Sequence, residues 1–305
     1  MQIFRHLSQS ARFPLALAIG NFDGMHLGHQ ALLRLLVETA RARGLKAAVM
    51  TFEPHPREFF TPTRAPMRLA SLREKLELFA EAGVEYAYIC HFNQRFASIS
   101  ADDFLHVVLR DTLDVRAILV GEDFRFGAGR TGSISDFAAA GFELISLPQV
   151  ELDGARVSST AIREALSQGQ LEKAGRLLGR PYSMSGKVVH GDKLGRELGY
   201  PTANVHMRHD RPPLFGIYAV KLEGLGGDDL PGVASLGVRP TLKHLGKPTL
   251  EVHLFDFDRD IYGKHVRVHF LHKIRDEMKF ADLDTLKQWI AADEQIARDY
   301  FRQTT

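Results

Sequence analysis

Apolar and polar positions change rhythm along the chain. In the first half, short apolar runs alternate with stretches whose apolar residues recur every three to four positions. "LALAIG" (15–20), "KAAVMTF" (46–52), "YAYICHF" (86–92) and "RAILVG" (116–121) predict buried strands. "HQALLRLLVETARAR" (29–43), "SLREKLELFAEAG" (71–83) and "ADDFLHVVLRDTL" (101–113) predict helices, the second with Ser71 as N-cap and Gly83 as C-cap. Strand and helix in repetition predict a parallel sheet covered by helices. Such sheets bind ligands beyond the carboxyl ends of their strands, and the stretches 20–29, 52–57 and 121–132 lie there.

After about residue 183 the rhythm shortens. "MSGKVVHG", "GIYAVKLE", "GVASLGV", "TLEVHLFDF" and "KHVRVHFL" are β-rich, partly alternating, and separated by Gly/Pro-rich turns. They predict antiparallel strands in a barrel or sandwich. A closing helix follows at "LDTLKQWIAADEQIARDYF" (283–301). The boundary falls near "GRPYS" (179–183), after a helical segment over 159–178, giving domains 1–183 and 184–305.

Composition narrows the partners. The 39 basic and 37 acidic side chains leave +2, too balanced for nucleic acid or an anionic membrane as main partner. The single cysteine, Cys90, excludes an internal disulfide and fits a reducing compartment. The run "FPLALAIG" is far shorter than a membrane span and lacks a cleavage signature, so the expectation is a cytoplasmic protein. Self-association is left open.

The stretch "GNFDGMHLGHQALL" (20–33) joins a predicted strand to a predicted helix. The helix start directs free N–H groups and a positive dipole end at the strand ends, which suits phosphate. Gly20, Gly24 and Gly28 permit sharp turns, and His26 and His29 can donate to phosphate oxygens. Two other readings stay open on these residues: a buried turn with incidental histidines, and a metal site with Asp23 as the one evident third ligand.

"GNFDGMHLGH" resembles the G-x-F-D-G-x-H-x-G-H signature of bacterial nucleotidyltransferases, in the form carried by FAD synthetases. "VSSTAIREAL" (157–166) is similar to their second signature, and "GYPTANV" (199–205) resembles that of riboflavin kinases. In order and spacing the three match the bacterial bifunctional riboflavin kinase/FAD synthetase family, over nearly the whole chain. The resemblance implies an α/β chain. Its parts would be a Rossmann-like parallel-sheet nucleotidyltransferase domain and an antiparallel β-barrel kinase domain with a terminal helix. It implies ATP, riboflavin, FMN and FAD as substrates or products, and Mg²⁺ as cofactor.

For the first domain the resemblance implies AMP transfer from ATP to FMN. His26, His29 and Arg163 would act on the phosphates, with Gly20, Phe22, Asp23, Gly24, Gly28, Ser158, Ser159 and Thr160 around them. An ordinary helix cap at Ser159–Thr160 is compatible with that role. Pro56, Asp123, Phe124, Arg125 and Phe126 would border the flavin. Asp123 stands where relatives often carry Asn, and the aromatic pair can equally pack beneath its loop.

For the second domain it implies phosphorylation of the ribityl hydroxyl. No G-x-x-x-x-G-K-[ST] is present. Instead "GKVVHGDKLGRELGYPTANV" spaces Gly191, Gly195 and Gly199 four apart, as a flap for phosphates. Thr202 and Asn204 share one side of an extended stretch and offer hard oxygen ligands to Mg²⁺. Glu251 occupies the position of the family's catalytic base and shares a strand face with His253; Arg275 lies in the segment that closes over riboflavin. The bland alternatives are exposed strand residues at 202, 204 and 251. Two rival functions are a flavin-binding regulator built on a degenerate enzyme and a metal-dependent hydrolase using His26 and His29.

Overall fold

The computed structural model describes residues 1–7, 13–191, 195, 198–209, 211–238 and 248–304. The chain divides into two compact units: Met1–Pro66 with Leu72–Ser158, and Met67–Ser71 with Ser159–Thr305.

The first unit is a six-stranded sheet, parallel throughout. Its strands are β1 (Gln2–Phe4), β2 (Leu15–Ile19), β3 (Lys46–Glu53), β4 (Tyr86–His91), β5 (Val115–Gly121) and β6 (Glu143–Leu147). They lie in the order β1-β4-β3-β2-β5-β6. Every residue of β2 is buried. Leu15, Leu17 and Ile19 enter one core with Met50 and Ile118, while Ala16 and Ala18 enter the other with Leu32, Leu33 and Leu36. Burial on both faces is why the central strand reads as an unbroken apolar run. Helix α1 (Leu27–Arg43) covers the alanine side and stops at Gly44, whose φ of 64° turns the chain back. Helix α2 (Leu72–Glu81) packs on the same side through Phe79.

Two edge strands escape the sequence pattern. β1 has three residues with one buried, and β6 buries none, so neither carries an apolar run. The helix predicted over 101–113 is α-helical only at Ala101–Asp103 and continues as a π-helix over Phe104–Thr112. Leu113 N–H accordingly donates five residues back to Val108 O, at 3.1 Å. Apolar spacing alone does not distinguish the two windings.

In the second unit the segment 159–178 forms two helices, α3 (Ser159–Ser167) and α4 (Leu171–Leu178), parted at Gly169 with φ 72°. A closed antiparallel barrel follows: β7 (Tyr182–Val189), β8 (Ala203–Met207), β9 (Gly216–Glu223), β10 (Leu230–Val238), β11 (Pro248–Leu254) and β12 (His265–Arg275). Around the barrel the order is β7-β8-β11-β10-β9-β12, with β12 pairing back to β7. Closure leaves no open edge. Strand β11 buries Leu250, Val252 and Leu254 and leaves Glu251 and His253 half-buried on the other face. The terminal helix α5 (Leu283–Thr304) packs Ala297 against Ile217, Ala219 and Val233. Among the described residues no helix is long and apolar enough to cross a membrane.

Candidate active sites

In the first unit, the loop from Gly20 to His26 joins β2 to α1. Phe22, Gly24 and Met25 all adopt left-handed backbone, with φ of 50°, 80° and 47°. For a residue with a side chain that geometry needs outside support. Burial supplies it: Phe22 is 0% and Met25 2% exposed. The Phe22 ring lies 5.2 Å from both Phe79 and His29. The Phe22 side chain thus anchors the loop from below.

His26 is the N-cap of α1, and its Nδ1 accepts the His29 N–H at 3.3 Å. That role places the proton of the neutral ring on Nε2. The two imidazoles stack with centroids 3.6 Å apart. Gly28 makes room, since a Cβ there would stand 3.1 Å from His26 Cε1. His29 Nδ1 is buried without a hydrogen-bond partner. Burial first, then the neighbouring His26 and Lys75, hold the His29 pKa well below the usual imidazole value. Asp23 is also buried.

Lys75 was not singled out in the sequence. It is 5% exposed, and its Nζ donates to Asn21 O at 3.4 Å, where Thr51 Oγ1 also donates. A cation thus sits beneath the signature loop. The signal was legible: Lys75 interrupts the apolar stripe formed by Leu72, Leu76 and Phe79.

The flavin candidates of this unit separate. Phe126 is buried and stacks on Phe137 with centroids 4.5 Å apart, against Gly132. In this structure it packs into the core cluster with Phe104 and Phe137. Phe124 is half-buried beside it, and Arg125 is exposed. Asp123 pairs with Arg156 at 2.9 Å and accepts from Gln149. Pro56 opens a short helix, Pro56–Phe60, capped by His55 with Glu58. Of the second signature, Ser158 ends the first unit's span, and Ser159, Thr160 and Arg163 lie in the second. Arg163 Nε donates to Met67 O at 2.6 Å, so one guanidinium N–H is engaged within that unit.

In the second unit a cavity of about 370 Å³ gathers Gly195, Thr202, Asn204, Glu251 and Arg275. Asn204 pairs with Glu251 across β8 and β11, and Ser235 of β10 stands on Glu251's other side. A Cβ on Gly191 would collide with the Asn204 amide. Gly195 O accepts from Tyr200 N–H at 2.7 Å, and Gly199 has φ 90°. These glycines frame the predicted flap, whose residues 192–194 and 196–197 lie outside the described set. A second cavity, of about 440 Å³, shares Thr202 with the first. Its walls include Val188, Leu254, Phe257, Ile261 and Tyr262.

Arg275 lines the first cavity, but its guanidinium is committed. It makes a two-pronged pair with Asp293 of α5, Nε–Oδ1 2.9 Å and Nη2–Oδ2 2.7 Å. Its charge lies over the rings of Trp289 and Phe280, at 5.3 and 5.5 Å. Sequence reasoning missed Asp293, a 4%-exposed carboxylate on an otherwise charged helix.

The FAD synthetase family model matches residues 8–161, and the riboflavin kinase model matches 178–301. The chain belongs to the bifunctional riboflavin kinase/FMN adenylyltransferase family. The bifunctional riboflavin kinase/FMN adenylyltransferase of Escherichia coli K12 is 48% identical over 303 residues, covering 98% of this chain and 96% of that one. The Haemophilus influenzae member is 44% identical and covers 99% of both. A crystal structure described as a macrolide-efflux protein from Streptococcus pneumoniae superposes with a TM-score of 0.81 at 33% identity, covering 97% of this chain and 98% of that one. The sheet unit carries the first nucleotidyltransferase signature, and the barrel carries the kinase signature of this family.

Proposed function

We propose that the segment 1–183 performs the adenylyl transfer and 184–305 the phosphorylation, with roles that follow from the geometry above. As a family member the enzyme phosphorylates riboflavin to FMN with ATP. It then transfers AMP from ATP to FMN, giving FAD and pyrophosphate.

The observation that carries the kinase assignment is the meeting of Thr202, Asn204 and Glu251 in one cavity. Riboflavin lies in that cavity, where Ile217, Val233, Leu286 and Ile290 offer apolar surface to its rings. ATP lies in the neighbouring cavity, with its adenine among Leu254, Phe257 and Tyr262. Thr202 lines both cavities, which supports a reading with the phosphates at the junction. Glu251 accepts the proton of the ribityl hydroxyl as that oxygen attacks the γ-phosphate. Among the described residues no three His, Cys, Asp or Glu side chains are grouped to hold a metal. The Thr202 hydroxyl and Asn204 amide oxygen are hard donors at the junction and fit Mg²⁺ shared with substrate phosphates. Bound there, Mg²⁺ neutralises charge on the transferring phosphoryl group.

In the first unit, FMN brings its own nucleophilic phosphate, so the protein needs to orient and neutralise. His26 donates through Nε2 and neutral His29 from beneath the helix start, with Lys75 adding positive charge under the loop. Ser158, at the end of the same unit's span, adds a hydroxyl to the phosphate set. The partners are flavins and ATP, and the compartment is the cytoplasm. Incubating the full chain with riboflavin and Mg-ATP, and following FMN and FAD separately, tests the reading. Formation of FMN without FAD would remove the adenylyl-transfer half, and formation of neither would remove both.

A further inference from the structure

The chain leaves β12 at Arg275 and runs to α5 through a strap, residues 276–282. Glu277, Met278 and Phe280 of that strap line the cavity that holds Thr202, Asn204 and Glu251. The Glu277 carboxylate lies in a notch at the end of β10. A Cβ on Gly237 would coincide with it, so the notch exists only because residue 237 has no side chain. The Val238 N–H donates to the same carboxylate, and Arg275 is a further favourable charge nearby. Burial nevertheless raises the Glu277 pKa, as expected for a carboxylate drawn against the barrel. Met278 beside it is 50% exposed and gives the strap little apolar grip.

We propose that Glu277 is a positioning residue for riboflavin phosphorylation: docked in the Gly237 notch, it latches the strap as a wall of the flavin cavity. The proposal rests on the reading of this cavity as the riboflavin site. Thr202, Asn204 and Glu251 belong to β8 and β11 and its flank, so the latch acts on flavin retention and leaves the chemical step alone.

The test uses the full chain with saturating Mg-ATP. Riboflavin affinity is read from the KM of FMN formation and from quenching of Trp289, the sole tryptophan, by bound flavin. Glu277→Ala raises both values about tenfold, the size of one lost hydrogen bond to a charged group, with kcat near wild type. Glu277→Gln retains an acceptor for Val238 N–H and recovers most of the affinity. Gly237→Ala fills the notch without touching Glu277 and reproduces the loss. The double variant Gly237→Ala/Glu277→Ala is no worse than either single, because both remove one interaction. Adenylylation of supplied FMN is unchanged in all four. Unchanged riboflavin affinity in Glu277→Ala overturns the latch, as do additive losses in the double variant or a fall in kcat at constant KM. Failure of the wild type to phosphorylate riboflavin would instead overturn the reading of the cavity.

Discussion

Asn204 and Glu251 stand directly opposite one another across the ladder between β8 and β11. Both side chains line the same cavity, and they come from stretches 47 residues apart in the chain. Antiparallel register places a proposed metal ligand beside a proposed base without help from any loop. A strand pair is a stiff mount, so the hydroxyl to be phosphorylated meets groups whose separation is set by the backbone.

Gly191→Ala tests that mount from outside the pair. The added methyl would overlap the Asn204 amide, which must swing away. The expected result is a loss of FMN formation of about tenfold or more, with FAD formation from supplied FMN intact, since one charge-assisted contact is worth about 1.5–3 kcal/mol. Separate assays of the two products check it. Equal kinase activity in the variant would show that Asn204 is not held where the flap meets it.

His26 has two jobs that substitution can separate. As N-cap it accepts the His29 N–H, and in the proposed reading its imidazole also offers Nε2 to phosphate. Asn is a good N-cap without an imidazole. His26→Asn should keep the wild-type unfolding midpoint while FAD formation falls about a hundredfold, the scale of one lost transition-state donor. His26→Ala should lose about 1 kcal/mol of stability as well. Wild-type adenylylation by His26→Asn would leave His26 as a cap and nothing more.

How much of this was written plainly in the sequence depends on what each residue touches. The doubly buried strand 15–19 and the alternating strand 248–254 announce themselves, because burial on two faces or one sets the spacing of apolar residues. Thr202 and Asn204 were legible as a pair for the same reason. Edge strands β1 and β6 bury too little to leave a pattern. The packing of Phe126 on Phe137 was not legible, because aromatic residues in a loop look alike in sequence whether they meet a ligand or another ring. Asp293 was illegible because its partner, Arg275, lies on a strand, and no periodicity of a helix names a distant cation.

The protonation state of His29 gives a stability prediction with a definite sign. Its folded pKa is depressed, mainly by burial, so the folded chain binds fewer protons than the unfolded chain. The stabilisation is fully present above the unfolded value of about 6.5 and is lost as pH falls from there through the lower folded value. Urea midpoints measured from pH 8 down to pH 5 should drop more steeply in wild type than in His29→Gln, which has no titrating group there. Parallel curves would mean that His29 is protonated in the folded state as readily as in water.

The Arg275–Asp293 pair makes a different prediction, about the terminal helix. Both partners are largely buried, with side chains 14% and 5% exposed. Asp293→Ala leaves a buried guanidinium uncompensated, a change that costs about 3–5 kcal/mol. Asp293→Asn keeps an acceptor and should cost less. Trp289 packs on the same guanidinium, so its emission during denaturation follows the event directly. A shift within about 0.5 kcal/mol in Asp293→Ala, the range of ordinary surface substitutions, would show that the pair does not hold α5 to the barrel.

Glu251→Gln and Thr202→Val should fail in different ways. Gln preserves the shape of Glu but cannot take the ribityl proton. Loss of a general base typically costs between about a hundredfold and ten-thousandfold in rate, so FMN formation should nearly cease while flavin binding and adenylylation of supplied FMN persist. Thr202 lines both cavities, and Val replaces its hydroxyl with a methyl of similar volume. That variant should bind Mg-ATP more weakly with the base in place. Raising Mg-ATP should then partly rescue Thr202→Val and do nothing for Glu251→Gln. The contrast is measured as the nucleotide dependence of FMN formation at fixed riboflavin. Wild-type phosphorylation by Glu251→Gln, or its rescue by nucleotide, would place the base elsewhere. The face of β11 that carries Glu251 and His253 would then lose its claim to the chemistry.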